Sequence, residues 1–250
     1  MILKPIAGLV AAALPALALA QSDARAISAK DAFASPVLVV APKPPARSAS
    51  DAASVEVRVT GSIGTNGILS NPVFENAQGK DKYVQAIREV LHLWRFKPAV
   101  DLEACKPAAR NGTVVVWFDD KGGKSSVAVS MPQVGGKAEA ARAGGEGAIY
   151  KVAQRPRAIF PQEARDIGAE GAAEVLVKLN DKGDNVQQTL LYATPHSMFG
   201  ESAMARAGEL RIAPNGSRAQ CVAVPYHFCM DGDVSFPNSA CEGKRSRPAS

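Results

Sequence analysis

Apolar residues recur at every second position from Val55 through Val57 to Val59, the signature of a half-buried strand. Asn66-Gly67 marks a hairpin turn, and a second strand follows through Leu69 to Phe74. From Asp81 to Trp94 the period changes. Tyr83, Val84, Ile87, Val90, Leu91 and Trp94 fall on one helical stripe, with Asp81 as the expected N-cap. The stripe runs into Trp94-Arg95-Phe96-Lys97-Pro98-Ala99, and after Asn111-Gly112 a third strand covers Thr113 to Phe118. Trp94 and Phe96 lie two residues apart, so on an extended segment they point to the same side, toward the seam between helix and sheet. Both are expected core anchors, with Arg95 pointing out.

About 116 residues later the same order returns. Ala173 to Leu179 alternates, Lys182-Gly183 is the turn, and Val186 to Leu191 is the return strand. Phe199, Ala203, Ala207 and Leu210 form a helical stripe, followed by Leu210-Arg211-Ile212-Ala213-Pro214 and a last strand from Cys221 to Phe228. From Gly67 to Pro98 is 31 residues, and from Gly183 to Pro214 is again 31. The expected fold is α+β: two small β-β-α-β modules, at 54–131 and 150–241. Repeat one carries about six extra residues ahead of its last strand, where Cys105 sits. Between the modules, 132–149 contains Gly135-Gly136 and Gly144-Gly145 and reads as a flexible linker. Residues 21–53, with Pro42-Lys43-Pro44-Pro45, read as a second flexible segment, in which Pro36 to Val40 has only a weak strand signal.

The second module opens with Pro156, Phe160-Pro161, Ala164, Gly168 and Glu170-Gly171, with Phe160-Pro161 starting a short helix and Gly168 closing it. This opening, the alternating strand, the Gly183 turn, the helix and the Arg-x-x-Pro step resemble the C-terminal domain of the TonB energy-transducer family. That family often reads Trp-Arg-Phe-x-Pro-Ala after its helix, and the first module has this at Trp94 to Ala99. The resemblance covers roughly 54–119 and 151–229. Repeat one lacks an aromatic-Pro opening, and repeat two has Leu210 to Pro214 in place of the aromatic segment.

Hydrophobic residues make up 46% and charged residues 21% of the 250-residue chain, which excludes a disordered or collagen-like class. Net charge is +5, too mild for a dedicated nucleic-acid binder. Lys4, the uncharged run Ile6 to Ala20 and Ala18-Leu19-Ala20 read as a signal peptide at 1–20, leaving a periplasmic chain that starts at Gln21 with no integral membrane span. As a helix the run would extend roughly 22 Å, short of the ~30 Å hydrocarbon core. An uncleaved anchor is the alternative. Residues 242–250 form a basic, solvated tail.

Four cysteines allow three pairings. Cys229 and Cys241 flank a turn at Asp231-Gly232, so a bridge between them would pin the tail; Cys105 and Cys221 would then pair across the modules. Pairs 221–241 and 105–229 stay as alternatives. His92, His196 and His227 are each isolated, and Asp119-Asp120 and Asp231-Gly232-Asp233 fit hairpin turns better than a cation site. No metal, cofactor or catalytic motif is expected.

The family resemblance implies a non-enzymatic protein that binds an envelope protein by adding the partner's strand to a sheet edge, in the setting of TonB-dependent transport. The implied docking element is the last strand, with Val222, Val224, Tyr226 and Phe228 alternating along it. Pro225 within it suits an edge strand. Two other functions compete: a structural envelope protein without peptide capture, and an energy transducer that keeps its anchor. Against the transducer, residues 21–53 would stretch to roughly 110 Å at most and hold too few prolines to be stiff.

Overall fold

The computed structural model describes residues 25–26, 29–46, 52–121, 124–131, 152–154, 157–212, 221–230 and 241. The expected signal segment, the stretch 132–149, the turn at Asp231–Asp233 and the basic tail lie outside them. The fold is α+β, with mostly antiparallel strands and few helices among the described residues.

The chain leads in with β1 (Arg25–Ala26), a 3-10 turn at Ala29–Ala32 and β2 (Ser35–Leu38). The first sheet begins with β3 (Ser54–Ile63) and β4 (Leu69–Glu75). Their turn needs a glycine: Gly67 has φ of 71°, and a Cβ there would collide with the Phe96 carbonyl oxygen. Helix α1 (Asp81–Leu91) turns Tyr83, Ala86 and Ile87 inward. Its N-cap is Lys80, not the expected Asp81, which lies in the first turn where a negative charge favours the helix dipole. Next come β5 (Arg95–Lys97), the short hairpin β6 (Ala99–Asp101) and β7 (Lys106–Ala108), then β8 (Arg110–Lys121) and β9 (Lys124–Ser130). The hairpin expected after Asp119-Asp120 is β8–β9. Strand order in this sheet is β4-β3-β8-β9.

Trp94 and Phe96 are each 1% exposed, among Val57, Val59, Ile87, Val114 and Val116. Their rings meet edge to face at 6.5 Å, and the Trp94 indole N–H donates to the Val40 carbonyl at 2.8 Å. Arg95 donates to the His92 and Trp94 carbonyls.

The second half contains β10 (Val152–Gln154), α2 (Gln162–Asp166), β11 (Gly171–Leu179), β12 (Asn185–Thr194), α3 (Ser197–Ala207), β13 (Arg211–Ile212) and β14 (Cys221–Phe228). Gly168, just past α2, has φ of 64°, the left-handed closing conformation. The second sheet runs β1-β14-β11-β12. On one face Val175, Val177, Phe199, Ala203, Tyr226 and Phe228 form its core, where the Phe160, Phe199 and Phe228 rings cluster with centroids 5.0–6.2 Å apart.

Its other face is covered too. Val100 and Cys105 of the β6–β7 hairpin pack on Leu176 and Leu191, and Cys105 bonds to Cys221 with Cα atoms 5.6 Å apart. The second disulfide joins Cys229 to Cys241, at 5.4 Å between Cα atoms. The extra residues of the first half are therefore an arm laid on the second sheet. This arm and the Cys105–Cys221 bridge, the pairing expected across the modules, join the two halves.

The lead-in also departs from expectation. Within 21–53, β2 pairs with β5 (Ser35 opposite Lys97, Pro36 opposite Phe96), and β1 pairs with β14. Val39 and Val40 pack against the first core, and Pro42 is buried. Pro36, by contrast, lies exposed on β2.

Candidate functional site

β14 is paired along its whole length with β11, from Cys221 opposite Lys178 to Phe228 opposite Gly171. This register turns Val222, Val224, Tyr226 and Phe228 toward α3. All four are at most 1% exposed. They are core side chains, so they cannot themselves touch a docked partner. What β14 offers is the main chain along its other edge, interrupted at Pro225, which has no N–H.

Among the described residues, β1 occupies the Cys221 end of that edge. β1 lies antiparallel to it, with Arg25 opposite Ala223 and Ala26 opposite Val222. β9 holds the matching place in the first sheet, against the outer side of β8.

A buried ion cluster fixes β1. The Arg25 guanidinium donates to both carboxylate oxygens of Asp31, at 2.6 and 2.7 Å, and to Glu174 Oε1 at 3.0 Å. Lys97 Nζ donates to Asp31 Oδ1 at 2.8 Å and to Glu174 Oε1 at 3.0 Å. The Asp31, Glu174 and Lys97 side chains are 4%, 8% and 9% exposed, that of Arg25 34%. Two cations face two carboxylates, which is the condition for holding charge away from water. The hydrogen bond to Asp31 holds the Arg25 guanidinium still further above its ordinary value, against the opposing effect of burial. Four elements meet here: β1, the 3-10 turn, β5 and β11.

Beside the cluster opens a crevice of about 360 Å³, between β2 and the outer face of β11 and β12, with Lys97, Glu174, Tyr192, Thr194 and His227 in its lining. Burial, reinforced by the Glu174 charge and opposed by that of Arg25, pushes the Tyr192 phenol up to about 12. Tyr226 is raised by burial as well, with Glu209 adding to it. A phenol that ionises near pH ~10 in the unfolded chain gives up its proton there first. Between about pH 10 and 12 the folded state thus binds more protons, and stability falls as pH rises through that window; below it the contribution is complete. Of the four tyrosines, Tyr192 and Tyr226 are expected to ionise late in an ultraviolet phenolate titration. Joint ionisation of all four near pH ~10 with the fold intact would contradict these buried placements.

Sequence reasoning had singled out the strand but none of Arg25, Asp31, Lys97 or Glu174. Among the described residues no three of His, Cys, Asp and Glu stand together as a metal site, and no helix is long and apolar enough to cross a membrane. No family model, curated protein or solved structure matches the chain.

Proposed function

We propose that this chain is a non-enzymatic, periplasmic protein built from two β-β-α-β modules of the TonB C-terminal type, and that it binds an extended segment of an envelope protein by strand addition at the outer edge of β14. The observation that carries this reading is β1 itself. An extended stretch of the chain, remote in sequence, adds antiparallel to β14 at Ala223 and Val222, so that edge is shaped to take one more strand. The two disulfides fit an oxidising compartment. The link to TonB-dependent transport rests on the family resemblance alone.

The test is site-directed photo-crosslinking in the envelope. A photoreactive residue replaces His227, which lies on β14 on the face away from α3; a control replaces Gln187 on the distant edge strand β12. The expected product is a crosslink from position 227, absent from position 187, to one extended segment of another envelope protein. Crosslinks confined to residues 21–28 of the same chain would overturn capture. That result would favour a structural role, a reading the buried ion cluster on β1 supports. An N-terminus at Gln21 in the mature protein would rule out the anchored transducer.

A further inference from the structure

We propose that the segment β14 accepts is an extended peptide carrying an arginine opposite Ala223, and that β1 is a built-in competitor for that position. The inference rests on strand addition at β14 and adds to it the chemistry of the partner and a means of control.

The main chain of β14 has little power to choose among partners. Strand pairing is indifferent to side chains, and Pro225 withdraws one donor from the edge. Selection must come from a side-chain socket within reach of the added strand, and one is present. Asp31 and Glu174 lie beside the first residue of β1 with at most 8% of either side chain exposed. They receive Arg25 in three hydrogen bonds, two of them a fork onto Asp31. A planar guanidinium suits this geometry, whereas an ammonium is a point donor.

The socket stays when β1 leaves. Asp31 belongs to the 3-10 turn, and Lys97 holds it at 2.8 Å and Glu174 at 3.0 Å independently of Arg25. Displacing β1 takes the guanidinium away from two buried carboxylates. A neutral incoming segment puts nothing in its place, which is unfavourable for groups so shielded from water. A segment with arginine in the same register returns the guanidinium. For the same reason β1 is an inhibitor, because a partner must match what Arg25 already supplies. Discrimination thus comes from a penalty on the wrong strand as much as from attraction to the right one.

The test uses the full mature chain with Arg25→Ala and, as probe, a synthetic peptide of this chain's own residues 21–28. A second peptide has citrulline, the neutral isostere, in place of its arginine. Binding is followed by fluorescence anisotropy, and its location by amide hydrogen exchange across Val222–Phe228. The arginine peptide should bind Arg25→Ala at least about tenfold more tightly than it binds the parent chain, should protect the β14 amides, and should lose at least about tenfold with citrulline. Adding Glu174→Gln should shrink the difference between the peptides. If Arg25→Ala does not fold, Ala26→Pro releases β1 while leaving the socket intact, and the same outcomes apply. Equal binding of both peptides would overturn the arginine socket while leaving strand addition standing. Equal affinity for the parent and variant chains would overturn β1 as competitor. Failure of the arginine peptide to protect β14 in the folded variant would overturn both this inference and the strand-addition reading beneath it.

Discussion

Replacing Trp94 with alanine should cost about 3–5 kcal/mol of folding stability. The side chain is 1% exposed and sits where α1 ends and β5 begins. It meets Phe96 edge to face, at a 77° angle between ring planes, so truncation removes an aromatic pair along with buried area. Its indole N–H also donates to Val40, which ties the first core to the segment leading from β2. Alanine empties a large cavity and leaves the Val40 carbonyl without that donor, two losses in one site. Equilibrium urea unfolding with the disulfides intact measures the change. Trp94→Phe should fall between, keeping most of the ring area and losing the hydrogen bond. A nearly unchanged midpoint for Trp94→Ala would show that this residue is no anchor of the fold.

The elements with local periodicity were readable from the chain. Val55, Val57 and Val59 alternate because one face of β3 meets α1 and the other does not. Gly67 and Gly183 stand at equivalent turns because each hairpin reverses through a left-handed residue, at φ of 71° and 80°. Trp94 and Phe96 were legible as core since an extended segment places alternate residues on one side.

The candidate site was mostly not legible, and the reason is distance along the chain. Arg25 and Glu174 are 149 residues apart, Asp31 and Lys97 are 66 apart, and no period links such pairs. One signal was present. In β11 the outward positions are Ala172, Glu174, Leu176 and Lys178, and an apolar Leu176 there is out of place on a strand with one wet face. Leu176 is 1% exposed because the β6–β7 hairpin lies over it. Read together with the extra residues around Cys105, that leucine marks a covered face. The side chains singled out on β14 have a different meaning from the one their alternation suggested. Val222, Val224, Tyr226 and Phe228 alternate because they face α3, so the alternation reports burial, and what a strand lends to an added strand is its main chain.

Removing the Cys105–Cys221 bridge, by changing both cysteines to alanine, should destabilise the protein by up to about 5 kcal/mol, more than removing Cys229–Cys241, for which the chain-entropy model gives about 3 kcal/mol. The two bridges close stretches of very different length, with partners 116 and 12 residues apart. A cross-link over the longer stretch excludes more of the unfolded ensemble. In the folded state it also clamps the β6–β7 arm onto Leu176 and Leu191, and Cys221 opens β14 at the end where β1 docks. The loss should therefore have a location. Amide exchange should quicken in 99–108 and at the Cys221 end of β14, whereas α1 and the centre of β3, packed in a separate core, should follow only the global change. Non-reducing peptide maps verify each bridge before urea unfolding compares the two double variants. A smaller loss from the 105–221 pair than from the 229–241 pair would mean that the arm is held by its apolar contacts, with the bridge adding little.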